Sequence, residues 1–406
     1  MSESQEAPAA AMLPAGPVVP QFSGRRGALF MLVLKTMGLT LLTLGIYRFW
    51  AKTRLRRYFW GNVVIAGEPL EYTGKATELL VGFLIVIAVL VPLSVASSVL
   101  RLVAEGGSEW IGVALDVGYF AVLLFLIDFA VYRMWRYRLT RTRWRGIRFG
   151  MENGALKYAG RAFLWRIGQV LTLGFITPWA RLDLAKFRVA RMRLGNQTIA
   201  MNGPARPLVL RWLGVWGIPI AIVAGTLALG YGDTIFALLD DAQISGGSPG
   251  KAIAAVVIAI LAGFILFVLY RIFEGRYLLG LTTVGGARLE SRLRARAILP
   301  AFVLAWTIVL ILFAVVLGFA FVPVVGGMAS PANQMVGMVV GIAVAVLMLV
   351  LLPLITYPIA VFQTVRHVWT TLSIHDIDDL DRVTQAPKEE PRFGEGLADA
   401  LDVGAI

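Results

Sequence analysis

Residues 42–62 read LTLGIYRFWAKTRLRRYFWGN. An apolar run gives way to five cations (Arg48, Lys52, Arg54, Arg56 and Arg57) set among Phe49, Trp50, Tyr58, Phe59 and Trp60, and the stretch closes on a Gly-Asn step. A related stretch follows 129 residues on. Leu42-Thr43-Leu44-Gly45 matches Leu171-Thr172-Leu173-Gly174, and Trp50-Ala51-Lys52 matches Trp179-Ala180-Arg181. After five extra residues, Gly61-Asn62 matches Gly195-Asn196. Self-similarity at a fixed spacing marks a repeat.

Composition says what the repeat is immersed in. Of 406 residues, 58% are apolar and 16% charged, and the mean hydropathy is +0.75. Soluble domains carry about 25% charged residues. Long uncharged runs separated by basic connectors read as membrane spans. The net charge of +13 sits in those connectors, where membrane orientation accounts for it and nucleic acid is not required. There is no cysteine, which excludes disulfides, thiolate metal sites and a Cys nucleophile. The residues before Phe22 lack the basic-then-apolar order of a signal peptide and read as a flexible tail.

Six full spans are expected. Leu79–Leu100, Trp110–Tyr132, Trp212–Gly232 and Ala252–Tyr270 supply four; Ala297–Val365 holds 69 uncharged residues, room for two spans with a turn at Val322–Gln334. Two further segments are short. Lys35 splits Gly27–Tyr47, and Ile167–Ala180 has only 14 residues. Each is basic on both sides, so each is expected to dip into the bilayer and return; eight transmembrane helices is the alternative. The cation-rich connectors (Tyr47–Lys75, Arg133–Arg161, Arg181–Arg211, Arg271–Arg296) are placed in the cytoplasm with both termini.

The expected fold is thus an all-α integral membrane protein with short cytoplasmic β-hairpins, built from two to three parallel repeats. The divisions are a tail at 1–21, repeats at 22–157, 158–286 and 287–375, and an acidic tail at 376–406. Hairpin turns are read at Gly67-Glu68-Pro69, at Asn153-Gly154, whose sequence suits a type I′ turn, and at Gly285-Gly286. The hairpins are expected to pair into one small sheet. Phe22-Ser23-Gly24-Arg25, Tyr72-Thr73-Gly74-Lys75 and Tyr158-Ala159-Gly160-Arg161 share an aromatic-x-Gly-cation pattern that opens membrane segments. Leu289-Glu290-Ser291-Arg292 aligns with Leu70-Glu71-Tyr72-Thr73 and with Leu156-Lys157-Tyr158-Ala159. Pro358-Ile359-Ala360 aligns with Pro178-Trp179-Ala180.

These motifs carry a resemblance. The start at Phe22–Phe30, the stretch at 42–62, the second LTLG…PWAR, RLESRLRARAIL (Arg288–Leu299) and EGLADALDVG (Glu395–Gly404) resemble the YjgN-like bacterial inner-membrane proteins. The resemblance runs from Phe22 to the C-terminus. It implies an inner-membrane location and supplies no activity or catalytic residue.

Candidate sites follow from charge. Arg48, Lys52, Arg54, Arg56 and Arg57 with Trp50, and Arg181 and Lys186 with Trp179, suit a helix at headgroup depth, so anionic phospholipid is the expected partner. Plain topological anchoring explains the same residues. Lys35, Arg166 and Asp128 are candidates for an intramembrane polar path, although Asp128 also lies about one turn from Arg133 and suits a structural pair. His367 and His375 are the only histidines and fall short of a metal set. Asp376–Asp381 reads as a solvated acidic run. No cofactor motif and no catalytic constellation is present, and a homo-oligomer is compatible with the pattern. The expected function is a non-enzymatic lipid-interacting or partner-organising membrane module; a transporter or channel with its path at the repeat interface is the alternative.

Overall fold

The computed structural model describes residues 16–104, 109–226, 249–325, 347–348, 351–380 and 382–385. The chain begins with β1 (Gln21–Phe22), α1 (Arg26–Leu42), α2 (Arg48–Gly61), β2 (Val63–Ile65) and β3 (Glu68–Tyr72). It continues through α3 (Ala76–Ala104), α4 (Glu109–Thr140), β4 (Thr142–Trp144), β5 (Ile147–Met151), α5 (Ala155–Leu171), α6 (Thr177–Val189), β6 (Met192–Leu194) and β7 (Gln197–Met201). Then come α7 (Arg206–Thr226), α8 (Pro249–Gly280), β8 (Thr282–Val284), β9 (Ala287–Ser291), α9 (Ala295–Val325), a π-helical turn (Tyr357–Val361), α10 (Phe362–Thr370) and β10 (Leu372–His375).

Among the described residues five helical stretches are long and apolar enough to cross a membrane: Ala76–Ala104, Trp110–Thr140, Arg206–Gly225, Val256–Gly280 and Ala295–Phe313. They coincide with five of the expected spans. The sixth lies partly outside the described residues, its later part being helical from 351 into the π-helical turn and α10, and most of the expected turn at Val322–Gln334 lies outside them, although its first residues still belong to α9.

The basic connectors pair as antiparallel strands in chain order, forming one ten-stranded sheet. Each five-residue strand divides its pairing. In β3, Glu68 and Pro69 face Ile65 and Val64 of their own hairpin, while Leu70, Glu71 and Tyr72 face Trp144, Arg143 and Thr142 of the next. β5 repeats this with β4 and β6, and β7 with β6 and β8. The sheet also curves back on itself. Val18, ahead of β1, exchanges both backbone hydrogen bonds with Ile374 of β10, each at 2.8 Å. Hairpin turns occupy one rim and the helices leave from the other.

That arrangement bears on the short segments. β1 pairs with β2 and β5 with β6, so the strands flanking α1–α2 and α5–α6 are hydrogen-bonded neighbours. Each short segment is therefore a helical hairpin that leaves the sheet and returns to it. The basic stretch is the returning limb α2, not a helix lying apart from the dip; it buries Phe49, Ala51, Thr53, Leu55, Arg56 and Phe59.

Several expected details are corrected. The second hairpin turns at Arg145-Gly146, both with positive φ (51° and 72°), whereas Asn153-Gly154 joins β5 to α5. The first turns at Ala66-Gly67, with Glu68 and Pro69 already in β3. Gly285-Gly286 is the turn between β8 and β9, as expected. The offset of 129 holds without insertion from α1/α5 through β3/β7, so Gly195 is the counterpart of Ala66, a hairpin turn residue, whereas Gly61 ends α2. Tyr158-Ala159-Gly160-Arg161 and Leu156–Ala159 lie inside α5, not at a strand end. Leu289–Ser291 occupies the β9 positions that Leu70–Tyr72 occupies in β3.

The acidic run is the largest correction. Ile377–Leu380 forms a short 3-10 turn, and Ile377 (0% exposed), Leu380 and Val383 are buried against Val63, Leu70, Trp144, Leu194, Ala287 and Ile374. Asp-x-Asp spacing had advertised solvent; the apolar residues between the acids fill the concave sheet. Asn196 then exchanges hydrogen bonds with Thr384 (3.0 and 3.1 Å), and the Arg148 N–H donates to the Gln385 side chain (2.9 Å). Ile377→Ala is expected to lower stability by about 2–5 kcal/mol, read as the melting temperature in detergent, while Asp378→Asn leaves it unchanged. Equal melting of Ile377→Ala and wild type would contradict the buried role.

Candidate functional site

A charge beside an apolar helix must find a partner or reach water. Asp128 of α4, buried, accepts two hydrogen bonds of 2.8 Å each from the Arg166 guanidinium of α5. This bidentate pair replaces the Asp128–Arg133 pair expected from spacing, and it couples two of the three proposed path residues to each other. The third, Lys35, projects from the exposed face of α1, opposite the buried Leu29, Val33, Thr36 and Thr40.

The headgroup candidates divide in two. Arg56 is 4% exposed; its guanidinium donates to the Tyr72 hydroxyl (3.1 Å) beneath the sheet. Arg57 donates to the Gly74 carbonyl (3.0 Å) and remains exposed. Arg54 sits 5.4 Å from the Tyr47 ring, itself stacked on Trp50, and Arg48 lies 4.6 Å from the Phe83 ring. Both are exposed, and Lys52 between them is partly so. In the second copy Trp179 is exposed beside Phe175, and Lys186 donates to the Gly203 carbonyl (2.7 Å). Arg181 instead pairs with Glu274 of α8.

Sequence reasoning missed Glu274. It is 1% exposed, and Arg271 holds its other oxygen at 2.5 Å. It was hidden within a connector read only for its cations; a lone acid one turn from the apolar span Ala252–Tyr270 was the available signal. Glu78 was missed likewise. It accepts from the Arg141 guanidinium (2.7 and 3.1 Å) and the Tyr137 hydroxyl (2.9 Å), joining the sheet ends of α3 and α4. Arg101–Asp116 (3.1 Å) joins their far ends.

At the tips of the short hairpins the two copies are built alike. Leu44 and Leu173 hold left-handed backbone (φ 49° and 50°), followed by Gly45 and Gly174 (92° and 85°). The Gly45 N–H reaches the Thr40 carbonyl and Leu44 N–H the Leu41 carbonyl, the pairing of a Schellman cap; Gly174–Gln169 and Leu173–Val170 repeat it. Glycine normally takes the residue placed here as leucine. Leu44 is 95% exposed and Leu173 75%.

The family described as bacterial protein of unknown function (DUF898) matches residues 19–400. The chain belongs to this family. It is also similar to an inner membrane protein, YjgN, of Salmonella typhimurium (strain LT2), being 29% identical over 131 residues that cover 32% of this chain and 30% of the relative. The chain thus matches under a third of that relative's length, and no solved structure matches it. Membership and the apolar helices make it a helical membrane protein of the YjgN/DUF898 family, and the relative supports an inner-membrane location.

Neither histidine of this family member joins a metal cluster among the described residues. His375 faces Glu290 (3.2 Å), and His367 accepts from the Arg294 N–H (3.2 Å).

Two outcomes are expected. Glu274→Ala leaves the partly exposed Arg181 and Arg271 guanidiniums without their shared carboxylate and is expected to lower the melting temperature, whereas Lys35→Gln changes it little; similar melting of both variants would contradict the shared pairing. Burial and the Arg294 charge push the His367 pKa below its ordinary 6.5. The folded chain then binds fewer protons than the unfolded one, so this contribution is present above about pH 6.5 and drains as pH falls through the folded value. Melting temperature is expected to fall on acidification from about pH 7 to 5, less so in His367→Gln. An identical slope in the variant would remove His367 as the cause.

Proposed function

We propose that the protein is a non-enzymatic lipid-interacting module of the bacterial inner membrane, with its sheet and both termini at the cytoplasmic face and its two short helical hairpins inserted part-way into that leaflet. The observation that carries this reading is the pair of tip leucines. In water, Leu44 and Leu173 are doubly unfavourable: left-handed backbone costs a non-glycine residue about 1–2 kcal/mol, and the side chains are almost wholly uncovered. Among acyl chains the exposure becomes favourable burial.

Lengths agree. α1 has 17 residues and α2 has 14, about 25 and 21 Å at 1.5 Å per residue, against roughly 43 Å for the 29 residues of α3. Hairpins of that reach end inside a hydrocarbon core of about 30 Å if they begin at the headgroups. Arg48, Lys52 and Arg54 follow the α2 tip within two turns and draw phosphate groups toward it; a short hydrophobic element beside long ones thins the adjoining bilayer. The cations gathered on the sheet side support the cytoplasmic orientation. The Asp128–Arg166 pair weighs against the transporter reading, since each charge already has its partner.

The cysteine-free chain makes the test direct. Single cysteines at Leu44 and Leu173, carrying an environment-sensitive fluorophore, are expected to be quenched by spin-labelled acyl chains and to resist an impermeant thiol reagent in intact cells. Labelling from outside the cell would contradict part-way insertion, and absence of acyl-chain quenching would contradict insertion altogether.

A further inference from the structure

Where α7 and α8 meet β9 and β10, an open cleft of about 700 Å³ lies between helices and sheet. Three arginines from three elements line it: Arg211 of α7, Arg276 of α8 and Arg288 of β9. Phe273 and Tyr277 form an aromatic wall, stacked at 5.9 Å with planes 19° apart. The Arg211 guanidinium lies 3.5 Å from the Phe273 centroid and donates one N–H to the Pro207 carbonyl (3.3 Å), leaving its other N–H donors for a planar or tetrahedral oxyanion. Among the described residues Arg276 has no ion-pair partner. The acids beside the cleft are already engaged: Glu290 by Arg292 and His375, each at 3.2 Å, and Asp376 by Arg288 at 2.9 Å.

A second observation points to a ligand. Ser291 lines the cleft, is 5% exposed, and its buried hydroxyl has no hydrogen-bond partner among the described residues. A buried hydroxyl left unpaired is unfavourable unless something bonds to it. Depth is informative as well. Arg211 lies five residues into α7 and Arg276 four residues before the end of α8, so both sit about 6–8 Å from the sheet ends of apolar helices. That is where a lipid phosphate would lie.

We propose that this cleft binds a phosphate ester, with Arg211 and Arg276 as its charged ligands and the Ser291 hydroxyl as a neutral donor. The phosphate has two sources: the headgroup of an anionic phospholipid in the adjoining leaflet, or a free phosphate compound from the aqueous side. The site is separate from the α2 and α6 cations, and its occupancy does not depend on the tips inserting, so either reading can fail alone.

The test uses the full-length protein in neutral detergent. Binding of phosphatidylglycerol, phosphatidylcholine, inorganic phosphate and glycerol 3-phosphate is followed by native mass spectrometry and by calorimetry. Arg211→Gln/Arg276→Gln and Ser291→Ala are compared with Lys157→Gln, an exposed cation on α5. For a lipid ligand, phosphatidylglycerol retention falls at least about tenfold in the double arginine variant, with phosphatidylcholine unchanged. For a free ligand, inorganic phosphate or glycerol 3-phosphate binds the wild type, the same variant loses it, and phosphatidylglycerol shows no preference. Ser291→Ala weakens whichever ligand binds, by a smaller factor. The proposal is overturned if the double variant, melting like wild type, keeps all binding, or if Lys157→Gln lowers binding as much.

Discussion

Three residues of β3, β5 and β7, and four of β9, pair outside their own hairpin, and the whole molecule hangs on that division. A lone two-stranded hairpin is marginal in water. Here Leu70, Glu71 and Tyr72 leave their hairpin to pair with β4, and each later long strand repeats the step, so every hairpin is held by its neighbours. The result has no free division point along β1 to β10, and the bridge between Val18 and Ile374 brings the outermost segments together. Exposed strand edges invite association with other chains; curving the sheet until its edges meet removes much of that hazard. Because antiparallel pairing keeps all the hairpin turns on one rim, every helical pair must start and finish on the other.

The helices then need fixing relative to one another, where apolar packing in lipid discriminates poorly. Charges supply direction. Glu78–Arg141 joins α3 to α4, Asp128–Arg166 joins α4 to α5, Arg161–Asp183 joins α5 to α6, and Arg181–Glu274 joins α6 to α8. Each lies on a different pair of elements, and breaking a buried pair by removing one partner leaves a charge without compensation. The helices of the two short hairpins are shorter than α3 and α4, yet they share the same attachment to the sheet.

Much of this was legible in the residues. Uncharged length gave five spans that the described residues contain, and the two Leu-Thr-Leu-Gly stretches mark the two short hairpins, since both carry the same helix-ending backbone. The flanking cations led to the expectation that each short segment begins and ends together, and in the fold β1 pairs with β2 and β5 with β6. Strand boundaries were less accessible. Asn153-Gly154 has the composition of a hairpin turn, but Arg145-Gly146 takes that place because strand register puts Ile147 opposite Trp144. An arginine with positive φ is not a pattern that composition announces. The Ile377–Val383 segment was misread because its acids dominate a one-dimensional view; only the concave sheet reveals that Ile377, Leu380 and Val383 share a buried side. Glu274 and Arg181 are 93 residues apart, and no local signal connects them.

One continuous sheet gathers the helices, and the segment ahead of β1 meets β10 at Val18 and Ile374. These residues exchange both backbone hydrogen bonds, and partners of that kind lie about 5.5 Å apart at Cα, within reach of a disulfide. In membrane vesicles, Val18→Cys/Ile374→Cys in the cysteine-free chain should form an intramolecular disulfide rapidly on mild oxidation, read as a reducible gel shift. Val18→Cys paired with a cysteine at Leu44, at the far tip of a helical hairpin, should not. No cross-link between positions 18 and 374, or equal cross-linking of both pairs, would contradict the account.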